Sequence, residues 1–237
     1  GMFLLKRLDD ALRDGDQVHA VIRSVGWSND GRGQFVLSPN PKGQVLAFER
    51  AYSESGIDPT KIDYVECHAT GTPLGDKVEL NSMETFFGRY GAKPRIGSVK
   101  SNLGHMLTAA GMGGMTKVIL SMKHGMIPPT IHVESPMESG NGGISSDLIV
   151  RETCEWPHQG EQKHATISAF GFGGTNAHLL FDHLPDATLP KPKKSDLQRL
   201  AIIGMEGVFG PCNGLDSLYE TFFEGISHSE SLPPKRW

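Results

Sequence analysis

Hydrophobic and polar residues along the chain follow two periods, one typical of strands and one of helices. Residues 18–25 alternate between apolar and polar positions, as a half-buried strand does. After residue 61, strand-like runs alternate with segments whose apolar residues recur at helical spacing. The predicted strands are residues 18–25, 62–67, 95–99, 147–150, 165–169 and 177–182, and the predicted helices are residues 6–13, 41–55, 75–87 and 107–124. This alternation indicates an α/β fold with a substantial parallel sheet.

Two of the predicted helices carry further signals. Gly56 follows the helix at 41–55 and is expected to end it, because glycine readily adopts the left-handed conformation of a helix C-cap. The helix at 107–124 is rich in small residues, namely Ala109, Ala110, Gly111, Gly113 and Gly114. Small residues allow a helix to approach its neighbours closely, so this helix is expected to be buried.

A linker and a second patterned stretch follow the last predicted strand. Residues 185–198 are rich in proline and lysine and poor in apolar residues, a composition typical of linkers. Beyond them, residues 200–204 have the pattern of a strand and residues 215–224 that of a helix. These residues are too few for a domain, so we interpret residues 199–237 as the truncated start of a further unit.

Composition narrows the classes of function. The chain has 237 residues, 29 of them glycine, and a formal net charge of −4. This length can bury a hydrophobic core, whereas the negative charge argues against a nucleic-acid partner. No stretch approaches the roughly 18 apolar residues of a membrane span, so no membrane partner is expected. The three cysteines lack metal-ligand spacing and no secretion signal is recognised, which favours the reducing cytoplasm.

Several familiar motifs can be set aside. Residues 171–176 resemble a dinucleotide-binding loop, but Asn176 stands where the third glycine belongs. Lys100 and Ser101 resemble the end of a phosphate-binding P-loop, but Val99 replaces the required glycine. The ten histidines show no paired metal-ligand spacing, and no Gly-X-Ser-X-Gly elbow is present. We therefore predict no metal site and no resident cofactor.

Three Gly-rich segments with polar side chains remain, at residues 65–76, 96–105 and 168–178. His68 and Lys100 lie where two predicted strands end, and open α/β sheets bind ligands beyond such strand ends. His105 precedes a predicted helix, whose N-terminus favours a neutral imidazole. Two neutral imidazoles and a cation can stabilise a developing oxyanion, such as the enolate of a thioester. The alternatives are a loop histidine bonded to backbone, a surface lysine and simple turns.

The same segments resemble those of a known family. Residues 68–72 (His-Ala-Thr-Gly-Thr), 100–105 (Lys-Ser-Asn-Leu-Gly-His) and 171–176 (Gly-Phe-Gly-Gly-Thr-Asn) resemble, in order, three signature segments of the C-terminal half of β-ketoacyl synthases. The resemblance covers about residues 2–184 and is strongest to ketosynthases of modular polyketide and polyunsaturated fatty acid synthases. Residues 200–205 and 218–225 resemble the start of a second ketosynthase-like module, a chain-length factor.

This resemblance implies a fold, an organisation and a set of partners. The expected fold is thiolase-like, mainly its C-terminal half, with a five-stranded mixed sheet and helices on both faces. The expected units are a remnant of the N-terminal half (1–58), the ketosynthase C-terminal domain (59–184), a linker (185–198) and the start of the next module (199–237). The implied partners are the missing N-terminal half, an acyl carrier protein that brings its own phosphopantetheine, malonyl and acyl thioesters, and a second copy in a homodimer.

The resemblance also implies roles for individual residues. His68 and His105 would stabilise the enolate formed when a malonyl thioester loses CO2. Lys100, with Glu79 as its ion-pair partner, would set the charge of the site. The implied substrate-binding residues are Thr70, Thr72, Phe172, Gly173 and Asn102. The alternatives are an exposed helix carboxylate for Glu79 and a core side chain for Phe172.

Two departures from the family pattern matter. Ala69 stands where glycine is commoner, which tightens the turn. The family's nucleophilic cysteine has no counterpart in these residues, and Cys67, Cys154 and Cys212 lack the setting of an activated thiolate. Cys67 is expected to point away from the face of His68, because strand residues alternate between faces. We therefore expect a fragment that is inactive alone in condensation.

Three other interpretations stay open. A non-catalytic ketosynthase-like subunit would shape a partner's pocket, but it would normally lack the histidine pair. A degradative thiolase would lack the Lys-Ser-Asn-Leu-Gly-His segment and would carry a second cysteine in the late Gly-rich loop, which has none here. A stand-alone binding module built on half a thiolase fold is not distinguished from a synthase fragment by the sequence.

Overall fold

The computed structural model describes residues 1–31, 38–157, 162–184 and 200–229. Its strands are β1 (Met2–Arg7), β2 (Ala20–Asn29), β3 (Tyr64–Glu66), β4 (Arg95–Gly97), β5 (Met126–Ile127), β6 (Cys154–Glu155), β7 (His164–Gly171), β8 (Thr175–Asp182), β9 (Leu200–Glu206), β10 (Val208–Phe209) and β11 (Cys212–Asn213). Its α-helices are α1 (Leu8–Asp14), α2 (Pro41–Ser55), α3 (Pro73–Phe87), α4 (Lys100–Leu103), α5 (Ala110–His124) and α6 (Leu215–Phe223).

Seven strands form one mixed sheet in the order β1-β9-β2-β8-β7-β3-β4. Strand β3 pairs parallel with β4 and β7, and the other pairs in this sheet are antiparallel. The five strands from β2 to β4 are the predicted mixed sheet, and the α/β fold is confirmed. The predicted count of five is too low, because β1 and β9 extend the sheet beyond β2. The parallel part is also smaller than the pattern suggests, since β7 and β8 form a hairpin.

Helices cover both faces of the sheet, as predicted. On one face, α2 and α3 share a core with β8 through Phe48, Met83, Phe86 and Leu180, among others. On the other face, α5 packs against β7 and β8 through Val118, Ile119, Met122, Ile167 and Phe181. These apolar contacts hold the strand ends in place, and the candidate site lies at those ends.

The limits of α2 follow from local chemistry. The Asn40 side chain accepts the N–H of Lys42 at 3.0 Å, and Pro41 occupies the first turn, where a missing N–H costs nothing. Gly56 ends the helix with a φ of +67°. Both predicted ends of this helix are therefore confirmed.

The small residues of α5 allow the close approach that the sequence predicts. A Cβ at Gly114 would lie 2.5 Å from Cδ1 of Ile167 on β7. Both Gly113 and Gly114 are buried. The α-helix begins at Ala110, and the residues before it, Leu107–Ala109, form a 3-10 turn.

Two sequence predictions need correction. Residues 147–150 form no strand in the described structure, because a 3-10 turn, Ser146–Leu148, satisfies the local backbone groups. The N–H of Leu148 donates to the Ser145 carbonyl at 3.2 Å, which leaves Ile149 with only an isolated bridge to Ile96. The helix predicted at 6–13 begins at Leu8, because the two residues before it complete β1.

The segment after the linker packs on the same sheet. Strand β9 lies between β1 and β2, and α6 contacts α5. The predicted boundary near residue 58 falls inside this packed unit, since β2 and α2 belong to its sheet and core. The linker predicted at 185–198 lies outside the described residues. In the described parts of the chain, no helix combines the length and apolar character needed to cross a membrane.

Candidate functional site

The three Gly-rich segments meet at a cleft of about 870 Å³. It lies beyond the C-terminal ends of β3 and β4, beside the β7–β8 turn and the start of α5, a position and size typical of ligand sites. The predicted site residues that line it are His68, Thr70, Thr72, Glu79, Lys100, His105 and Phe172.

His68 and His105 converge in this cleft, as predicted. Their ring centroids are 5.7 Å apart and the rings are nearly perpendicular, at 86°. The backbone N–H of Leu107 donates to Nδ1 of His105 at 3.0 Å. A ring nitrogen that accepts a hydrogen bond carries no proton, so the neutral His105 ring has its hydrogen on Nε2. This backbone bond, rather than the start of a long helix, sets the tautomer of His105.

The imidazole of His68 is neutral for a different reason. Burial lowers the pKa of His68 to about 3, and the nearby Lys100 and His105 also act to lower it. A neutral ring can donate one hydrogen bond from an N–H. The cleft therefore holds two neutral imidazoles, each able to donate a hydrogen bond to an oxygen between them.

The carboxylate of Glu79 anchors the strand end that carries His68. Its two oxygens accept the backbone N–H groups of His68 and Ala69, each at 2.8 Å. Ala69 has a φ of +26°, in the left-handed region where glycine is commoner, and the Glu79 bond helps to hold it there. The side chain of Glu79 is 3% exposed, so the alternative of an exposed helix carboxylate is wrong.

Glu79 and Lys100 influence each other without forming the predicted ion pair. No Glu79 oxygen lies within salt-bridge distance of the Lys100 ammonium group, because both oxygens are directed at the backbone of residues 68 and 69. Burial raises the pKa of Glu79 to about 7, against the effects of the two backbone N–H groups and of Lys100. Burial disfavours the charged form of Lys100 as well, and so lowers the pKa of Lys100. The carboxylate of Glu66 is the strongest influence that raises this pKa.

The structure contains a buried charge network behind Lys100 that the sequence did not predict. Glu66 is 1% exposed; its Oε2 lies 3.0 Å from Nζ of Lys117 and accepts the Tyr64 hydroxyl at 2.8 Å. Its other oxygen accepts the N–H of Val99 at 2.5 Å, directly before α4. The signal in the sequence is a carboxylate in a buried strand and a lysine inside an apolar helix. Such charges need partners when buried.

This arrangement has a definite chemical capacity. Two imidazole N–H donors face one opening, and Lys100 adds positive charge beside them. The two carboxylates that influence Lys100 most are bound elsewhere: Glu79 accepts backbone N–H groups, and Glu66 pairs with Lys117. Groups of this kind stabilise negative charge that develops on an oxygen during reaction.

Comparison with known proteins identifies the family. Residues 19–134 match the family model described as "Beta-ketoacyl synthase, C-terminal domain". This part of the chain belongs to that family. The domain's relatives include a polyunsaturated fatty acid synthase component from Thraustochytrium sp. (strain ATCC 26185 / S-3), 39% identical over an alignment of 249 positions that covers 100% of this chain and 12% of the relative. A phenolphthiocerol/phthiocerol polyketide synthase component from Mycobacterium tuberculosis (strain ATCC 25618 / H37Rv) is 44% identical over 191 positions, covering 77% of this chain and 10% of that protein.

Solved ketosynthase structures share the fold. The "PfaC Keto synthase-Chain length factor" structure is 46% identical with a TM-score of 0.74, covering 97% of this chain and 25% of that one. The ketosynthase from module 6 of the bacillaene synthase of Bacillus subtilis 168 is 36% identical with a TM-score of 0.70, covering 76% of this chain and 33% of that one. The chain thus spans between a tenth and a third of the length of these relatives.

The predicted substrate-binding residues of the synthase domain fall into two groups. Thr70 and Thr72 line the cleft, with their hydroxyl oxygens 3.1 Å apart. Phe172 lies at the cleft on the β7–β8 turn and is 78% exposed, so the alternative of a core side chain is wrong. Their roles toward substrate stay predictions.

Asn102 and Gly173 lie elsewhere. Asn102 is 1% exposed, and its side-chain amide donates to the carbonyls of Thr221 and Ile226, so it does not face the cleft. Gly173 sits at the turn with a φ of +82°, and its carbonyl accepts the side chain of Asn29 at 3.1 Å. The side-chain amide of Asn102 and the carbonyl of Gly173 are engaged by other parts of the chain, and a substrate-binding role for these two residues stays a prediction.

The three cysteines of the chain are not placed as nucleophiles. The Cys67 thiol is buried, 3.9 Å from the sulfur of Met83, and burial raises its pKa well above the usual value. The thiol of Cys212 is buried against the Thr221 hydroxyl at 3.1 Å. Cys154 lies beside Arg95, away from the cleft lining.

Proposed function

We propose that this chain supplies the decarboxylating part of a β-ketoacyl synthase site in fatty acid or polyketide biosynthesis. The observation that carries the proposal is the convergence of His68 and His105 on one cleft, 5.7 Å apart, beside Lys100. The relatives, among them polyunsaturated fatty acid and polyketide synthases, support a role in thioester condensation. The substrate is a malonyl thioester on the phosphopantetheine arm of an acyl carrier protein.

The chemistry follows from the two donors. The bond between the malonyl carboxylate carbon and the α-carbon breaks and CO2 leaves. The electron pair of that bond becomes the enolate of the thioester, with negative charge on the former carbonyl oxygen. His68 and His105 donate hydrogen bonds to this oxygen, and Lys100 stabilises its charge. In this proposal Thr70 and Thr72 bind the pantetheine arm, and Phe172 separates the acyl and malonyl pockets.

Acyl transfer to cysteine is a separate step that this chain does not carry out alone. The step needs a thiolate near the cleft, and the Cys67 thiol is buried with a raised pKa. We infer that the 237 residues by themselves do not condense acyl groups. The intact histidine pair disfavours the alternative of a non-catalytic chain-length factor, which would have no use for it.

The wider setting is also proposed. A homodimer is supported by large apolar side chains that stay exposed at the sheet edge, Met2 at 73% and Leu4 at 59%. Sedimentation at high concentration should show self-association, and a clean monomer would contradict it. A reducing cytoplasm fits the three free thiols.

The experiment that tests the function measures CO2 released from a malonyl-pantetheine thioester labelled at the free carboxylate. His68→Asn and His105→Asn should each lower the rate by roughly a hundred- to a thousand-fold, as loss of one oxyanion donor does. His132→Asn, at an exposed histidine outside the cleft lining, is the matched control and should keep the rate. No release above the uncatalysed rate, or equal rates in all four proteins, would contradict the proposal.

A further inference from the structure

The loop that carries Lys100 and His105 rests on the segment that follows the linker. One buried cluster joins the two, formed by Val99, Leu120, Phe209, Cys212, Leu218 and Phe222. The apolar side chains of Leu103 and Met106, on either side of His105, pack against the same cluster. Residues 200–229 therefore cover the underside of the loop whose polar side chains face the cleft.

A polar contact fixes the register of this packing. The side-chain amide of Asn102 donates to the carbonyls of Thr221 at 3.5 Å and Ile226 at 3.4 Å. In return, the backbone carbonyl of Asn102 accepts the N–H of His228 at 3.0 Å. Asn102 is thus bound through both side chain and backbone at the end of α6.

The end of α6 is itself ordered around one hydroxyl. Oγ1 of Thr221 donates to the Ser217 carbonyl at 2.9 Å and lies 3.0 Å from Nε2 of His228 and 3.1 Å from the Cys212 sulfur. Because His228 supplies the N–H that binds Asn102, the Thr221 hydroxyl holds that donor in position. Substitution of Thr221 should therefore weaken the hydrogen bond between His228 and Asn102.

The segment is also fixed at its other end. Strand β9 pairs with β1 from Met2 to Arg7 and with β2 at Ala20, and Ala201 and Ile202 are fully buried. A strand held on both edges in the sheet cannot shift by one residue without moving its buried side chains to the wrong face. This gives α6 a fixed base from which to contact α4.

We propose that residues 200–229 form a docking segment that positions the Lys100–His105 loop, with Asn102 and Thr221 as positioning residues. Asn102 occupies the third position of the Lys-Ser-Asn-Leu-Gly-His segment, where its buried amide ties the loop to α6 rather than binding substrate. The catalytic consequence rests on the proposed function, whereas the docking does not. Residues beyond the linker thereby become part of the working unit of the preceding domain.

The test is amide hydrogen exchange in the full chain. Thr221→Val removes the hydroxyl and keeps the shape, and Thr221→Ser keeps the hydroxyl. We expect Thr221→Val and Asn102→Ala to speed exchange of the amides in residues 98–109 at least tenfold, with exchange in β7 and β8 unchanged. Thr221→Ser should restore the protection. Glu220→Gln, at an exposed position of the same helix, is the control and should match the unaltered chain.

Two outcomes overturn the proposal. Unchanged exchange at 98–109 in both variants means that the segment does not hold the loop. A uniform rise that includes β7 and β8 means that Asn102 and Thr221 support only the fold as a whole. In parallel assays of malonyl thioester decarboxylation, Thr221→Val and Asn102→Ala should lower kcat and leave KM nearly unchanged. Local loosening without measurable decarboxylation in the unaltered chain would sustain the docking and contradict the proposed function instead.

Discussion

Glu79 holds the backbone N–H of His68 at 2.8 Å, from a helix on the opposite side of the turn. The carboxylate thus acts on the histidine through its main chain and leaves the imidazole free to face the cleft. A carboxylate that accepts two backbone N–H groups is normally stabilised as the anion, yet burial outweighs them here and raises the pKa of Glu79 to about 7. The anchor of the site is therefore sensitive to pH.

Glu79→Gln should change how stability depends on pH. In the folded chain the pKa is about 7, above the ordinary value of 4.5, so between these pH values the folded state binds more protons than the unfolded state. The contribution of Glu79 to stability is then full below pH 4.5 and falls as pH rises toward 7, by up to about 1.4 kcal/mol per pH unit. Glutamine does not titrate, so this contribution disappears.

Urea unfolding at pH 5, 6 and 7 measures the effect. The difference in unfolding free energy between the Glu79→Gln protein and the unaltered chain should shift in favour of the variant as pH rises from 5 to 7. Glu220→Gln, at an exposed carboxylate, should follow the unaltered chain. Parallel curves for Glu79→Gln and the unaltered chain would show that Glu79 is ionised across this range.

His178 should impose a pH dependence of the opposite sign. Its ring is fully buried between Phe48 and Tyr52, and burial lowers the pKa of His178 to about 3. The unfolded chain binds the proton below pH 6.5 and the folded chain does not, so this contribution to stability is full above pH 6.5 and is lost as pH falls. The slope is up to about 1.4 kcal/mol per pH unit.

His178→Asn tests this slope by chemical denaturation between pH 5 and 7. The variant should be less stable at pH 7 but should lose less stability on acidification. Ser168→Ala is the control, because it removes the hydroxyl 3.1 Å from Nδ1 and keeps the imidazole. If Ser168→Ala flattens the slope as much as His178→Asn does, the buried ring is not its source.

Local signals account for the parts of the fold that were predictable. The cap at Asn40, the proline after it and Gly56 act within a few residues, so the sequence alone defines α2. The alternation of buried and less buried residues in the first part of β8 likewise reflects which face of that one strand is buried. By contrast, the place of β9 between β1 and β2 depends on partners about 180 or more positions away, which no local pattern contains.

The same distinction applies to the site. His68, Lys100 and His105 could be predicted because their motifs place them at strand ends and a helix start. The direction of Asn102 could not, because α6 lies more than a hundred residues later and binds it. Glu66 and Lys117 were missed because each looks unremarkable alone, and their meaning comes from a contact of 3.0 Å between a strand and a helix.

The Glu66–Lys117 pair should be strongly coupled. Lys117→Met removes the cation and leaves a carboxylate that is 1% exposed without its ion-pair partner. Loss of one partner of a buried pair costs about 3–5 kcal/mol of unfolding free energy. Adding Glu66→Gln removes the stranded charge and retains an acceptor for the N–H of Val99, so the double variant should recover part of the loss. In a double-mutant cycle, a loss in the double variant that equals the Lys117→Met loss, or the sum of the two single losses, would contradict this coupling.

Two glycines of α5 should respond in opposite directions to alanine. A Cβ at Gly111 meets no other heavy atom within 4 Å, so Gly111→Ala should stabilise the chain by roughly 0.5 kcal/mol through helix propensity. A Cβ at Gly114 would lie 2.5 Å from Cδ1 of Ile167 and 3.2 Å from Cγ of Glu66. Ile167 is 3% exposed and has little room to move, so Gly114→Ala should cost about 1–3 kcal/mol.

Thermal and urea unfolding should be measured for both variants. Gly111→Ala reports helix propensity, and Gly114→Ala reports the close packing of the same helix against the sheet. Because the substitutions are chemically identical and three residues apart, the difference between them reports the contact of α5 with β3 and β7. Ile167→Val in the Gly114→Ala background shortens the side chain at the point of contact and should restore part of the lost stability. If Gly111→Ala and Gly114→Ala shift stability equally, α5 does not pack against the sheet as closely as these distances require.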